Sequence, residues 1–82
     1  MDASMILRNF LFKLLLHPST DGFQVGIRID DIERSEERNE IAEKLVDLGC
    51  LKPGWTGLGR DKIQGQFIYD KIEEVIKSGK IE

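Results

Sequence analysis

A glycine-rich stretch from Gly54 to Asp61, with the sequence GWTGLGRD, is the segment whose residue types could bind a nucleotide. Gly54 and Gly59 have the spacing of a Walker-type loop, in which backbone N–H groups cradle phosphates, a lysine reaches them and a hydroxyl holds magnesium. In this chain Arg60 occupies the lysine position and Asp61 the hydroxyl position. An acidic group there would meet the phosphate charge without supplying the hydroxyl ligand, so the stretch lacks the chemistry of a phosphate loop.

The flanking sequence also argues against a nucleotide site. A phosphate loop joins a buried parallel strand to a helix, but the preceding Leu51-Lys52-Pro53 is short and contains a proline. A dinucleotide pattern that starts at Gly57 and Gly59 fails at Lys62, where a third glycine is required. The stretch therefore predicts a tight turn, for which its proline and glycines are suited, and it indicates no cofactor and no small-molecule substrate.

The other reactive residues do not form a catalytic or metal-binding set. One histidine and one cysteine cannot supply the four Cys and His ligands of a structural zinc site, so no metal is predicted. Cys50 cannot form an internal disulfide, which favours a reducing, cytoplasmic setting, and a buried, inert thiol is expected. His17 is expected to satisfy carbonyl groups at a helix end. Because no nucleophile–base or carboxylate pair is specified, the sequence predicts that the protein is not an enzyme.

Length and charge limit the function further. With 82 residues the chain makes one domain, 1–82, near the lower limit for a self-supporting apolar core. The 12 basic and 15 acidic side chains give a net charge of −3, which is not the electrostatic footprint of a domain that neutralises many phosphates. The apolar run from Met5 to Leu16 contains Arg8 and Lys13 and is too short for a membrane span, so a core helix is expected.

The first helix is predicted from Asp2 to Leu16, with Asp2 or Ser4 as its N-cap. Its main apolar face has helical spacing and consists of Ile6, Leu7, Phe10, Leu11, Leu14 and Leu15. A second apolar stripe, on the opposite side, consists of Met5, Phe12 and Leu16. Either a later helix of the same chain or a partner must cover this second stripe, and cover within the chain is the favoured expectation.

A strand and a second helix are predicted next. An alternation of apolar residues with polar residues or glycine predicts a half-buried strand whose inward side chains are Phe23, Val25, Ile27 and Ile29. The segment 30–33 is expected to form a short helical turn, and Ser35 to cap a helix over about 36–48. That helix is expected to end at Gly49 and to bury Ile41, Ala42, Leu45 and Leu48.

The last segment allows two arrangements. In the favoured one, a helix begins at Asp61 and is ended by Ser78 and Gly79, with apolar residues at helical spacing. In the alternative, 64–69 is a short returning strand and the helix begins at Tyr69 or the next residue. Because Gly65 lies inside the helical pattern and weakens it, both arrangements remain open.

This order of elements resembles that of winged-helix domains. The end of the second helix, IAEKLVDLGCL, is similar to a helix that runs into a wing, and DKIQGQFIYDKI is similar to the closing helix of small bacterial and phage members. The resemblance implies an α+β fold of three to four helices with a small antiparallel sheet, in which the glycine-rich hairpin is the wing. It also implies that the helix after Ser35 would face the major groove of DNA.

The resemblance favours a DNA-associated regulator, but the charges do not. The solvent side of the second helix repels a phosphate backbone, because it carries Glu36, Glu37, Glu40, Glu43 and Asp47. The alternative is a protein-interaction module, with a protein partner or a second copy of the chain, that uses the acidic helix and an apolar surface without binding DNA. The residues expected to contact DNA or a partner are Arg34, Arg38, Asn39, Lys52, Trp55, Arg60 and Lys62.

Overall fold

Residues 2–79 are described by the structure, a computed structural model of the chain. They form an α+β fold with three helices and a three-stranded antiparallel sheet. In chain order the elements are α1 (Ala3–Leu16), β1 (Phe23–Arg28), α2 (Ser35–Asp47), β2 (Thr56–Leu58), β3 (Lys62–Gln66) and α3 (Tyr69–Ser78). Residue 1 and residues 80–82 of the predicted domain lie outside the described range. None of the helices within residues 2–79 is long and apolar enough to cross a bilayer.

The sheet has the strand order β1-β3-β2, so β3 is central and both of its neighbours run antiparallel to it. Alternate residues of β3 face opposite sides of the sheet. Ile63 and Gly65 are buried on the inner face, against which α2 packs, while Lys62, Gln64 and Gln66 lie on the opposite, outer face. The fold therefore has two layers, with the helices on one side of the sheet only.

A β-bulge interrupts β1 at Val25 and Gly26. The register of β1 against β3 shifts by one residue between Gln24 and Ile27, which leaves Val25 and Gly26 opposite a single residue of β3. Gly26 has a φ of +71°, in the left-handed region that a residue with a Cβ rarely adopts. The bulge turns the side chain of Val25 into solvent, where it is 71% exposed.

The bulge changes which side chains of this strand are buried. Ile29 is buried and Ile27 packs against the core, as the alternation predicts. Phe23 and Val25 are exposed instead, so the prediction that they face inward is wrong. The alternation was correct as evidence for a strand, but the inserted residue breaks the link between odd positions and the inner face.

The core joins all three helices to the inner face of the sheet. The predicted main face of α1 is buried, except that Leu15 is half-buried, and α2 buries Ile41, Ala42 and Leu45. The rings of Phe10 and Phe67 meet edge to face, with their centroids 6.0 Å apart and their planes at 64°. Phe67 thus links the end of β3 to α1.

The second apolar stripe of α1 is not covered by another helix. Met5, Phe12 and Leu16 are all exposed, and the favoured expectation of cover within the chain is wrong for the described residues. The helix α3 instead packs on the main face of α1, which is already apolar. The guanidinium of Arg8 lies 5.7 Å from the centroid of the Phe12 ring and shields part of it.

The starts of α1 and α2 each use a side-chain carboxylate. The N–H of Met5 donates to Asp2 Oδ1 at 2.9 Å, which confirms Asp2 as the N-cap of α1. At α2 the N-cap is Arg34 rather than the predicted Ser35, and its N–H donates to Glu37 Oε1 at 3.0 Å. The segment 30–33 is a turn and not a helical turn, because Asp31 has a φ of +68°, so the described chain has no fourth helix there.

The closing segment adopts the alternative arrangement. β3 occupies 62–66 and α3 begins at Tyr69, so the favoured helix start at Asp61 is wrong. A Cβ on Gly65 would lie 3.0 Å from the Cβ of Trp55 and 3.2 Å from Leu51 Cδ1, so a side chain here would require these neighbours to move by a few tenths of an ångström. Pairing with strands far away in sequence overrides the helical spacing of the segment.

Candidate functional site

Arg38, one of the predicted contact residues, is turned inward and is only 8% exposed. Its Nη1 donates to the carbonyl oxygen of Gly59 at 2.7 Å, and its Nε donates to Asn39 Oδ1 at 2.9 Å. The guanidinium lies against Gly57, where a Cβ would be 2.5 Å from Nη1. The hydrogen bond from Arg38 to Gly59 therefore holds the β2–β3 hairpin against α2. Of the two adjacent predicted contact residues, Arg38 is buried and Asn39 is exposed.

Arg38 and Gly57 are expected to be energetically coupled. Gly57→Ala alone must displace the guanidinium, so it is expected to lower the free energy of unfolding by about 1–3 kcal/mol. In an Arg38→Ala background the same glycine change meets no guanidinium, and it is expected to be neutral or to stabilise by up to about 1 kcal/mol. Urea denaturation of the four proteins of this double-mutant cycle measures whether the effect of Gly57→Ala on the free energy of unfolding differs between the two backgrounds. Equal costs in both backgrounds would contradict the coupling, and Arg34→Ala, at an exposed residue, is the control.

The tip of the β2–β3 hairpin gathers basic side chains around one carboxylate. Arg28 Nε lies 3.0 Å from Asp61 Oδ2, and Arg60 Nη2 lies 4.0 Å from the same oxygen. Arg28 is also paired across the strands with Lys62, whose side chain is on the same face. Arg60 and Lys62 were predicted as contact residues, but Arg28 was not. The feature that identifies Arg28 as a candidate is its position opposite Lys62, and this is known only once β1 is seen to pair with β3.

The other predicted basic residues lie elsewhere. The N–H of Lys52 donates to the carbonyl of Gln66 at 2.9 Å, so Lys52 lies at the end of β3 opposite to the hairpin tip. Arg34 is exposed at the start of α2, with its Nε 3.6 Å from Glu37 Oε1. Trp55 is half-buried, packs on the core and lines a shallow cavity with Lys52. The predicted contact residues therefore do not form one basic surface.

The exposed face of α2 is an acidic stripe, which we define as Glu36, Glu40, Glu43 and Asp47. Their spacing of four, three and four residues places all four carboxylates on one side of the helix. Within residues 2–79, none of the four forms an ion pair. The stripe is thus a row of unneutralised charges on the helix that the sequence had singled out for recognition.

Beside the stripe, α1 and α2 leave an apolar groove with a volume of about 270 Å³, which we call the α1–α2 groove. Its floor includes Ile6, Ile32 and Ile41, which are 5–7% exposed and are the most accessible members of the core. Its rim carries Glu37, Glu40 and one cation, Lys44. The groove therefore joins an apolar floor to the acidic stripe.

The charge of Glu37 is fixed at this rim by the backbone. Its Oε1 accepts from the N–H groups of Glu33 at 3.2 Å and Arg34 at 3.0 Å. The hydrogen bond from Glu33 is the main cause of a lowered pKa at Glu37. Burial opposes it, and the hydrogen bond from Arg34 and the Arg34 charge lower the pKa further. Glu37 is therefore ionised at neutral pH, and its carboxylate has a fixed position beside the groove.

The sole cysteine offers no nucleophile. Cys50 is buried, and burial raises the pKa of its thiol to about 11, so the reactive thiolate is a minor species at neutral pH. Across residues 2–79, no three His, Cys, Asp or Glu side chains come together in a group that could hold a metal ion.

Comparison of the chain with known protein families, with curated proteins and with solved structures finds no match.

Proposed function

We propose that the protein is a small, non-enzymatic recognition module with a winged-helix-like arrangement, and that it binds a protein partner through the acidic stripe and the α1–α2 groove. The order of helices and strands and the short β2–β3 hairpin support this arrangement. The observation that carries the function is the row of four unpaired carboxylates on the exposed face of α2.

The acidic stripe favours a protein over DNA as the partner of α2. Each carboxylate would be repelled by a phosphate, and the arginine nearest the middle of the helix, Arg38, is used inside the fold. A protein segment with basic side chains would be attracted instead. Exposed ion pairs contribute only about 0–1 kcal/mol each, so the rest of the affinity must come from apolar side chains on the groove floor.

The proposal predicts binding of a basic, amphipathic helix. We expect a synthetic peptide of about 15 residues, with leucine on one face and lysine on the other, to shift the backbone amide NMR signals of α2 and the groove. Added salt should weaken the binding. Glu40→Lys should weaken it by about 2–10-fold, since it replaces an attraction with a repulsion. Glu73→Lys on α3 makes the same charge change far from the groove and should leave the affinity unchanged. Equal effects of the two variants would refute the proposed site.

A second candidate, DNA binding through the hairpin, is favoured by the convergence of Arg28, Arg60 and Lys62. The same NMR experiment with random duplex DNA at about 50 mM salt separates the two functions. Contact by the hairpin would shift the signals of 59–62 and give a salt slope of roughly −2.7, from about −0.9 per neutralised phosphate. Absence of binding at this salt concentration would exclude the DNA function.

A further inference from the structure

We propose that the α1–α2 groove and its acidic stripe bind a second copy of this chain, through the outer face of that copy's sheet. The inference rests on the proposed function and names the partner of the same site. It follows from two surfaces of one molecule that are opposite in charge and both partly apolar.

The outer sheet face consists of exposed apolar and basic side chains. Its apolar members are Phe23, Val25 and Leu58, of which Val25 is pushed outward by the bulge. Arg28 and Lys62 lie side by side across β1 and β3 on this face. Within residues 2–79, no helix covers it, because all three helices lie on the inner side. The face is therefore an uncovered apolar patch with a basic border.

The hairpin tip keeps this border positive. Four cations lie on or next to it, namely Lys13, Arg28, Arg60 and Lys62, against two carboxylates, Asp30 and Asp61. Four positive and two negative groups leave a local charge of +2, in a chain whose total charge is −3. The negative excess of the chain is thus concentrated elsewhere, and the acidic stripe is a large part of it.

The groove can also accept a protruding side chain. The groove volume of about 270 Å³ is below the roughly 300–1,000 Å³ of small-molecule pockets, but the groove is open to protruding side chains. Val25 is such a side chain, and Lys62 and Arg28 beside it would face the carboxylates of Glu37 and Glu40. In this arrangement the aliphatic side chain contacts the apolar floor of the groove, and the two cations lie beside the carboxylates at its rim.

Strand pairing between copies is the competing mode of self-association, and the structure works against it. The bulge distorts the free edge of β1, and Lys13 Nζ donates to the carbonyl of Arg28 at 2.9 Å. Bulges and lysines of this kind protect edge strands from pairing with other chains. The free edge of β1 is therefore protected, and the surface that we propose for a second copy is the outer face of the sheet.

The association is head to tail and weak. The groove and the outer sheet face are different surfaces, so each copy offers one of them to the next. Three strands about 4.8 Å apart and about five residues long cover roughly 240 Å² in plan, well below the roughly 800 Å² that each partner buries in a standard interface. Dissociation constants of about 0.1–1 mM are expected, with higher affinity at low salt.

Sedimentation equilibrium of the whole chain at up to about 1 mM and at about 50 mM salt tests this inference. The average mass of the unmodified protein should rise with concentration, and the rise should shrink as salt is added. Glu40→Lys damages the groove and Lys62→Glu damages the sheet face, and each should lower the association constant by about 2–10-fold. Glu73→Lys and Lys77→Glu on α3 are charge-matched controls and should associate like the unmodified protein.

Mixing the two damaged variants gives the decisive result. The Glu40→Lys chain keeps an intact sheet face and the Lys62→Glu chain keeps an intact groove, so an equimolar mixture should form 1:1 dimers with a higher association constant than either variant alone. A monomeric unmodified protein, or a mixture that stays monomeric, would overturn the inference. If those outcomes occur while the basic peptide still binds at α2, the proposed function stands and only the second copy is excluded. If the peptide also fails to bind, both are refuted.

Discussion

Phe67→Ala is expected to lower the free energy of unfolding by about 3–5 kcal/mol. Phe67 is 1% exposed, packs edge to face on Phe10 and stands where three parts of the chain meet. Its N–H donates to the carbonyl of Gly22 at 2.9 Å, and it forms a β-bridge with Leu51. Truncation removes the ring and leaves a cavity. The backbone around this cavity is held by the hydrogen bond to Gly22 and the bridge to Leu51, so it cannot move inward to fill the space.

The cost is large relative to the whole stability of such a domain. Natural domains unfold with about 5–15 kcal/mol, and a chain of 82 residues belongs near the lower end. Urea denaturation followed by far-UV circular dichroism should therefore show a much lower midpoint or a partly unfolded protein in water. Phe12→Ala is the matched control, because Phe12 lies on the exposed stripe of α1 and should cost below about 1 kcal/mol. Similar costs for the two variants would mean that Phe67 is not at the centre of the core.

The elements whose evidence is local were predictable from the sequence. The main face of α1 repeats every three to four residues, and Asp2 stands at its start, so both its extent and its cap follow from the chain itself. The extent of α2 was also predictable, including its end at Gly49 with a φ of +81°, although its N-cap is Arg34 and not the predicted Ser35. The prediction of a turn in the glycine-rich stretch also agrees with the structure, in which this stretch forms β2 and the turn before β3.

The elements that depend on distant pairing were not predictable. The apolar residues from Ile63 to Ile72 fit a helix by spacing, and only the place of β3 between β1 and β2 decides for a strand. The bulge in β1 is likewise invisible in an alternating sequence, although Gly26 was a signal. For this reason the exposed outer sheet face, and Arg28 on it, could not be derived from the residues alone.

The buried position of Arg38 was predictable from its spacing but not from its residue type. Arg38 stands three, four and seven residues before Ile41, Ala42 and Leu45, so helical spacing places it on the buried face of α2, although charged residues usually face solvent. Gly57 leaves room for its guanidinium under the hairpin. The prediction of the acidic helix surface used the same helical spacing. What the structure adds is the groove beside it, since that depends on how α1 and α2 pack.

Gly22→Ala is expected to cost about 2–5 kcal/mol, the second large effect. Gly22 has a φ of +81°, which costs a residue with a Cβ about 1–2 kcal/mol. A Cβ there would also lie 2.6 Å from the carbonyl oxygen of Phe67 and 2.6 Å from Gln66 Nε2. The first of these is a backbone atom, and the N–H of its peptide, that of Ile68, donates to the carbonyl of Cys50 at 2.8 Å. Relieving the contact must therefore move the backbone after β3 or before β1, at about 1–3 kcal/mol.

Gly54→Ala separates the two causes. Gly54 has a φ of +98°, but nothing lies within 4 Å of a Cβ placed on it. This control should therefore show the backbone cost alone, about 1–2 kcal/mol. Urea denaturation of both variants gives the difference, which we assign to the Phe67 carbonyl. A Gly22→Ala variant as stable as Gly54→Ala would show that the start of β1 is free to move, and the close approach of Gly22 to the end of β3 would then contribute nothing to the stability of the sheet.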